Sequence, residues 1–238
     1  MVYGGAMDRI LLIAVIVSVA YFLLLSLPAV VMFGAAPSSS FFRIVASTAT
    51  YATASSLIVL PVSFIVGFAL AFRPSGSYMT PLILFSTAIP HTAIGILLAP
   101  IVFSLKITDT ATSIVLGMFV VSLPIGVGVM RASFAAQGVE LEEFLRSMGV
   151  RGMRLQWFYL RASPTSVLLA ALLSWFRAFS ELGVFLIVAQ RPQTVGVYIF
   201  EEFLRSGPTA VVSASLVLLA VAMMLTLVTL VLERAGST

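Results

Sequence analysis

Cysteine is absent from the 238-residue chain, histidine occurs once, at His91, and charged residues make up only 9% of the sequence. The lack of cysteine excludes disulfides, thiolate metal sites and cysteine nucleophiles. A soluble domain carries roughly 25% charged residues, whereas this chain is 61% hydrophobic, with a mean hydropathy of +1.15. These values indicate an integral membrane protein.

Signatures of catalysis are also missing. The chain contains no HExxH or GxSxG motif, no paired carboxylates inside a membrane segment and no phosphate-binding loop of the Walker type. We therefore predict no catalytic residue, no metal site and no bound cofactor in this chain. Any energy source that the protein uses must therefore come from another chain.

Long apolar runs take up most of the sequence and predict one all-α transmembrane domain over residues 1–238. No cleavage site follows the first run, so we interpret it as a retained span. Prolines interrupt the third segment, which favours a position inside the helix bundle. The six predicted spans cover about residues 10–33, 44–72, 78–105, 110–130, 163–189 and 208–232.

The distribution of cations predicts the orientation of the chain. Six spans place both termini on one side, and eight of the thirteen Lys and Arg residues fall on that side, against four on the other. Cytoplasmic loops carry the excess of Lys and Arg, so the termini and the polar interval 132–161 are expected in the cytoplasm of a multi-pass cell-membrane protein. The basic balance therefore does not indicate a nucleic-acid partner.

The interval 132–161 contains a predicted amphipathic helix. Leu141, Phe144, Leu145 and Met148 follow the spacing of one helix face, and Gly149 stands where the helix would end. Acidic residues lie in its first turn, and Arg146 follows Glu142 by four positions, as in an ion pair. Two interpretations stay open: a helix that docks on a cytoplasmic partner, or a loop that lies on the membrane surface.

Few polar side chains in the predicted spans are candidates for a transport path. Arg177 and Glu181 are four residues apart at mid-membrane, where a pair either fixes a helix orientation or borders a path or gate. His91 is a packing residue, or a ligand or gate residue of the path. The hydroxyls that include Ser47 and Ser55 bond back to their own helix or line a polar wall.

The run Glu143–Gly149 resembles the EAAxxxG motif of type I ABC-importer permeases, with Glu143 and Gly149 in register and with Phe144 and Leu145 in place of the two alanines. The resemblance implies the six-helix, MetI-like permease fold and a coupling helix between the fourth and fifth spans that docks on an ATPase. The implied ATPase-coupling residues are Leu141, Glu142, Glu143, Phe144, Leu145, Arg146, Met148, Gly149, Val150 and Arg151.

Two further segments resemble the molybdate/tungstate permeases of that superfamily. Ile89–Gly95 is similar to their P-H-T-x-x-G-I segment, and Phe176–Gly183 to their A-R-A-x-G-E-x-G. The resemblance implies a homodimer in the lipid bilayer, two cytoplasmic ATPase subunits that bind ATP and Mg, and an external oxyanion-binding protein. Molybdate or tungstate would then cross by alternating access. Sulfate or another small solute, or ion-coupled secondary transport, are the alternatives.

Overall fold

The structure, a computed structural model, describes residues 4–31, 38–73 and 76–236, and this part of the chain contains helices and turns but no β-strand. The predicted all-α class is therefore confirmed. A 3-10 turn, Phe85–Ala88, lies between the third and fourth helices. The helices are α1 (Gly4–Val31), α2 (Ser39–Phe72), α3 (Gly76–Leu84), α4 (His91–Ser104), α5 (Ala111–Ala136), α6 (Val139–Ser147), α7 (Met153–Ala162), α8 (Pro164–Phe179), α9 (Phe185–Val188), α10 (Val195–Ser206) and α11 (Pro208–Gly236).

The chain divides into two compact units. One consists of Met1–Ser38 with Ile199–Met223, and the other of Ser39–Tyr198 with Met224–Thr238. All predicted site residues belong to the second unit.

The core of the second unit is built from α2, α5 and α8, which approach closely because small residues lie where they cross. A Cβ added at Gly67 of α2 would lie 2.8 Å from Met130 Cβ of α5. A Cβ at Gly126 of α5 would lie 2.4 Å from Ser63 Oγ and 2.9 Å from Ser174 Oγ. Membrane helices associate through such small-residue contacts, because apolar burial alone does not drive helices together in lipid.

The third predicted span, 78–105, is not one straight helix. The helical segments Tyr78–Ala88 and His91–Ser104 are bent by 104° relative to each other. Pro90 explains the break, since proline lacks a backbone N–H and restricts the preceding residue to extended conformations. Ile89 accordingly has φ −85° and ψ 133°.

The fifth predicted span, 163–189, is wrong as a continuous helix. It contains α8, a turn over residues 180–184, and the short α9. A second bend lies where this span begins, because Met153–Ala162 and Pro164–Phe179 meet at 85°. Proline stands in the first turn of α8. The helices of the second and fourth predicted spans extend beyond the predicted bounds. Helix α2 begins at Ser39, and α5 continues past Arg131 to Ala136.

Two described helices, Ser39–Phe72 and Ala111–Ala136, are long and apolar enough to cross a membrane, and the count reaches four if each bent pair is one span. The apolar parts Leu12–Leu27 and Pro208–Met224 are shorter. The end of the first predicted span, residues 32–33, lies outside the described residues. Six spans therefore remain a prediction.

Candidate functional site: the α6 surface and a polar cluster at two helix breaks

The helix α6 ends where the sequence predicted. Gly149 has φ +83°, its N–H donates to Arg146 O (3.0 Å), and the Val150 N–H donates to Leu145 O (3.0 Å). These two bonds form a Schellman motif, in which a left-handed residue closes the helix and satisfies its last carbonyls. Gly138, with φ +84°, is the residue just before α6. The helix is thus set off from its neighbours at both ends by left-handed glycines.

The predicted apolar stripe of α6 is only half covered. Leu145 is 7% exposed, and Leu141 and Val150 pack against the same buried cluster. Phe144 and Met148 are 59% and 65% exposed. The four residues lie on one side of the helix, as predicted, but the body of the protein covers one edge of the stripe and leaves the other open.

Charged side chains border the open edge of the stripe. Arg146 Nε donates to Glu142 Oε1 at 2.5 Å, which confirms the predicted i,i+4 contact. Glu142 is largely buried, while Glu143 and Arg151 are exposed. An apolar centre with a charged rim is the composition of a protein–protein contact surface.

The covered edge of α6 joins a buried cluster that reaches α2, α5 and α7. Leu145 shares this cluster with Leu155 and Tyr159 of α7 and with Phe68 and Phe134. The Tyr159 ring centroid lies 5.6 Å from that of Phe68 and 5.9 Å from that of Phe134, in edge-to-face geometry. Aromatic pairs in this arrangement contribute about 0.5–1.5 kcal/mol beyond area burial. These aromatic contacts join α7 to the long helices, and Leu145 packs α6 against the same cluster.

A hydrogen bond joins the two ends of the α6–α7 excursion, which is the segment 137–163 between α5 and α8. Gln137 Nε2, just after α5, donates to Ser163 Oγ, just before α8, at 2.5 Å. The two ends of the excursion are thereby held together, although 26 residues separate them in sequence.

A second group of functional candidates, the break cluster, consists of Arg177, Glu181 and His91. Arg177 Nη2 donates to Glu181 Oε2 at 2.7 Å and to His91 Nε2 at 2.7 Å, and it also contacts His91 Nδ1. His91 Nδ1 lies 3.3 Å from Glu181 Oε2. Glu181 Oε1 accepts the Val184 N–H at 2.8 Å. Both carboxylate oxygens therefore have partners.

The break cluster joins the two interrupted helical segments. Arg177 is in the last turn of α8, Glu181 lies in the following turn, and His91 is the first residue of α4. The predicted pair on one continuous helix is therefore wrong in its backbone, although the two side chains do meet. Discontinuous membrane helices commonly place their broken ends at substrate or ion sites.

Backbone packing keeps these two breaks together. A Cβ added at Gly183 would lie 2.8 Å from His91 Cβ and 2.9 Å from Thr92 N. A Cβ at Gly95 would lie 3.0 Å from Val184 O. Because nothing larger than glycine fits at Gly183, the turn after α8 rests directly on the start of α4.

The other two predicted path residues lie on α2, and within the described part of the chain neither bonds to the break cluster. Ser47 Oγ donates to Ile44 O of its own helix at 3.0 Å. Ser55 is fully buried, and its Oγ has no hydrogen-bond partner among the described residues. Their role in a path stays a prediction.

Sequence reasoning did not single out two residues that the structure places at the candidate sites. Ser180 lies beside Arg177, and its Oγ is 3.5 Å from Arg177 Nη1. Tyr159 was not singled out, although it is fully buried at the centre of the aromatic contacts. The signal for Tyr159 was its position four residues after Leu155, on the face that α7 turns to the core.

No family model matches the chain. The chain is 32% identical over 174 residues to the molybdate/tungstate transport system permease protein WtpB of Thermococcus kodakarensis, covering 69% of this chain and 70% of the relative. It is 34% identical over 161 residues to the protein of the same name from Pyrococcus furiosus, covering 66% and 64%. It is 29% identical over 178 residues to that of Pyrococcus abyssi, covering 72% and 70%.

Proposed function

The chain belongs to the family of molybdate/tungstate transport system permeases, and from that membership we propose that it is the membrane-spanning subunit of an ATP-driven importer of molybdate or tungstate. It is a transport subunit rather than an enzyme. Two copies would enclose one path, with both termini in the cytoplasm, in the six-span fold of the type I ABC-importer permeases. An external binding protein would deliver the oxyanion.

The open edge of α6 supports the ATPase-docking part of the proposal and carries it further than any other observation. Phe144 and Met148 expose large apolar side chains next to Arg146 and Glu143, on a helix fixed by left-handed glycines. Large side chains that become fully buried at the centre of an interface carry most of protein–protein affinity. We assign the ATPase-coupling surface to residues 141–151 on this ground.

The buried cluster below α6 supports a path for mechanical coupling. Any displacement of α6 by a docked ATPase would act on Leu145, and through it on Tyr159 and the long helices α2 and α5. Close-packed interiors transmit strain because they have few voids to absorb it. Closure of the ATPases would in this way switch the path between its inward-facing and outward-facing states.

The break cluster supports the position of the path or gate. Ionisable side chains in membrane segments face a bundle interior or an aqueous cavity and mark substrate routes by default. Arg177 and His91 are only partly covered, whereas the Glu181 side chain is fully buried. The same cluster is the place that an ion-coupled secondary transporter would use, so it does not separate the two mechanisms.

Binding to the ATPase of the same transporter separates them. We expect the detergent-solubilised permease to form a stable complex with that ATPase, and we expect Gly149→Asp and Glu143→Lys to abolish the complex while the permease stays folded. The matched control is Phe158→Ala, which alters an exposed aromatic residue of α7 outside α6. If the wild-type chain binds no ATPase, or if both variants bind as well as wild type, ion-coupled transport becomes the better account.

A further inference from the structure

We propose that Arg177 and Ser180 form a transient binding subsite for a tetrahedral oxyanion, with His91 holding the guanidinium in place, and that the buried Glu181 carboxylate is the counter-ion that keeps this binding weak. The proposal deepens the proposed function, on which it rests, because it assigns the substrate class to particular side chains. Three observations support it: which side chains of the break cluster are exposed, which donors of Arg177 and Ser180 have only weak partners, and how the charges of Arg177 and Glu181 balance.

The donors of the break cluster lie in front of its acceptor. The Glu181 side chain is 0% exposed, whereas those of Arg177 and His91 are 18% and 33% exposed. Ser180 is exposed as well. An ion that approaches from the open side therefore meets a guanidinium and a hydroxyl before it meets the carboxylate. This arrangement presents positive potential outward although the Arg–Glu pair has no net charge.

The guanidinium keeps donor capacity on this open side. Arginine has five N–H donors, and Arg177 Nη2 is the group that binds Glu181 and His91. In the described structure, Nη1 has one long contact, 3.5 Å to Ser180 Oγ, whose own bond to Arg177 O is also long, at 3.4 Å. Hydrogen bonds of this length are weak. Nη1 and the hydroxyl can therefore both turn to oxyanion oxygens at little cost.

The carboxylate cannot compete for the same space, because its oxygens are already used on the protein side. Oε1 accepts the Val184 N–H, and Oε2 accepts from Arg177. Arginine pairs well with tetrahedral and planar anions because its fork presents parallel N–H bonds. A dianion would thus bind Arg177 on the face opposite to Glu181, with the guanidinium between the two negative charges.

Glu181 sets the affinity of the subsite for the oxyanion. Its negative charge cancels that of Arg177, so a dianion is held by donor geometry rather than by net charge. A site along a transport path must bind well enough to admit the ion and weakly enough to release it. Removal of the carboxylate leaves an unbalanced cation in a medium of low polarity, where the attraction of opposite charges is strong. Glu181→Gln should therefore trap the anion.

If Arg177 and Glu181 only fix the end of α8, a different result is expected. In that case, Arg177→Gln and Glu181→Gln would each disturb the fold by leaving one buried partner unpaired. The double variant would restore balance, and with it normal transport. If the subsite exists, the double variant regains stability and still lacks the anion donor, so that its transport stays impaired.

The experiment uses the complete complex of permease and ATPase. Equilibrium dialysis with tungstate, on the complex in lipid nanodiscs without the external binding protein, gives the affinity of the complex itself. Uptake into vesicles that hold the same complex and internal ATP, with the loaded binding protein outside, gives the transport rate. We expect at least tenfold tighter tungstate binding and slower uptake for Glu181→Gln. We expect loss of binding for Arg177→Gln and for the double variant, and about threefold weaker binding for Ser180→Ala, whose exposed side chain the fold does not need.

Unchanged tungstate affinity in Glu181→Gln, or wild-type uptake by the double variant, would overturn the subsite. If Arg177→Gln does not fold, Ser180→Ala and Glu181→Gln decide the question by their opposite effects on affinity. Failure of the proposed function looks different, because the wild-type complex would then show no ATP-driven uptake of any oxyanion. Normal wild-type uptake that none of these substitutions alters would reject the subsite alone.

Discussion

Replacement of Phe144 by alanine is the sharpest test of the α6 surface. Phe144 is 59% exposed, so docking on a partner can bury the larger part of a side chain that typically buries 150–250 Å². About 120 Å² of apolar area at ~25 cal/mol per Å² corresponds to about 3 kcal/mol. Since 1.4 kcal/mol is a factor of ten, we expect the Kd for the ATPase to rise by about 100-fold.

The assay is the affinity of the labelled ATPase for the permease in nanodiscs. Alanine is the best helix former, so the substitution leaves α6 intact and removes only the side chain. Phe158→Ala, which truncates an exposed phenylalanine of α7, is the matched control and should change Kd by less than about threefold. A change of less than threefold for Phe144→Ala as well would refute α6 as the docking surface.

Substitutions at Gly149, Gly126 and Tyr159, each with a control, test the packing around the site. Gly149→Ala should destabilise the end of α6 by about 1 kcal/mol because of its positive φ, although the space is open; ATPase affinity should fall several-fold, with Gly149→Asn restoring most of it. Gly126→Ala should lower Tm, since the added Cβ overpacks two serine hydroxyls at a cost of about 1–3 kcal/mol, whereas Gly128→Ala meets only an ordinary 3.5 Å contact and should not. Tyr159→Phe should be neutral in Tm, because the Tyr159 hydroxyl is buried without a partner in the described structure; Tyr159→Ala should lower Tm and uncouple ATP hydrolysis from uptake, and equal effects of both would argue against the aromatic cluster as the coupling element.

Local chemistry made α6 predictable from the sequence. The positions of its apolar residues, the i,i+4 spacing of Glu142 and Arg146, and the glycine after its last turn all act within about ten residues. The structure confirms the helix, the ion pair and the helix end. It was not possible to predict which edge of the stripe is covered, because Phe68 of α2, which shares the buried cluster, lies far away in sequence.

The break cluster shows the opposite case. The bend at Pro90 has a visible cause in the sequence, but the end of α8 at Phe179 contains no proline, and apolar runs stand on both sides of the short segment Ser180–Gly183. That helix ends where Glu181 turns to bind the Val184 N–H and where the chain rests on α4. His91 joins the cluster from 86 residues away. Such contacts depend on tertiary packing, which the hydrophobic periodicity of the sequence does not reveal.

Uptake by the reconstituted transporter tests the central claim most directly. Vesicles that hold the permease, its ATPase and internal ATP should accumulate tungstate or molybdate when the loaded binding protein is added outside. They should accumulate neither without ATP, and sulfate should enter more slowly. Accumulation by the permease alone under an ion gradient, or a complete transporter that hydrolyses ATP but moves no oxyanion, would contradict the account.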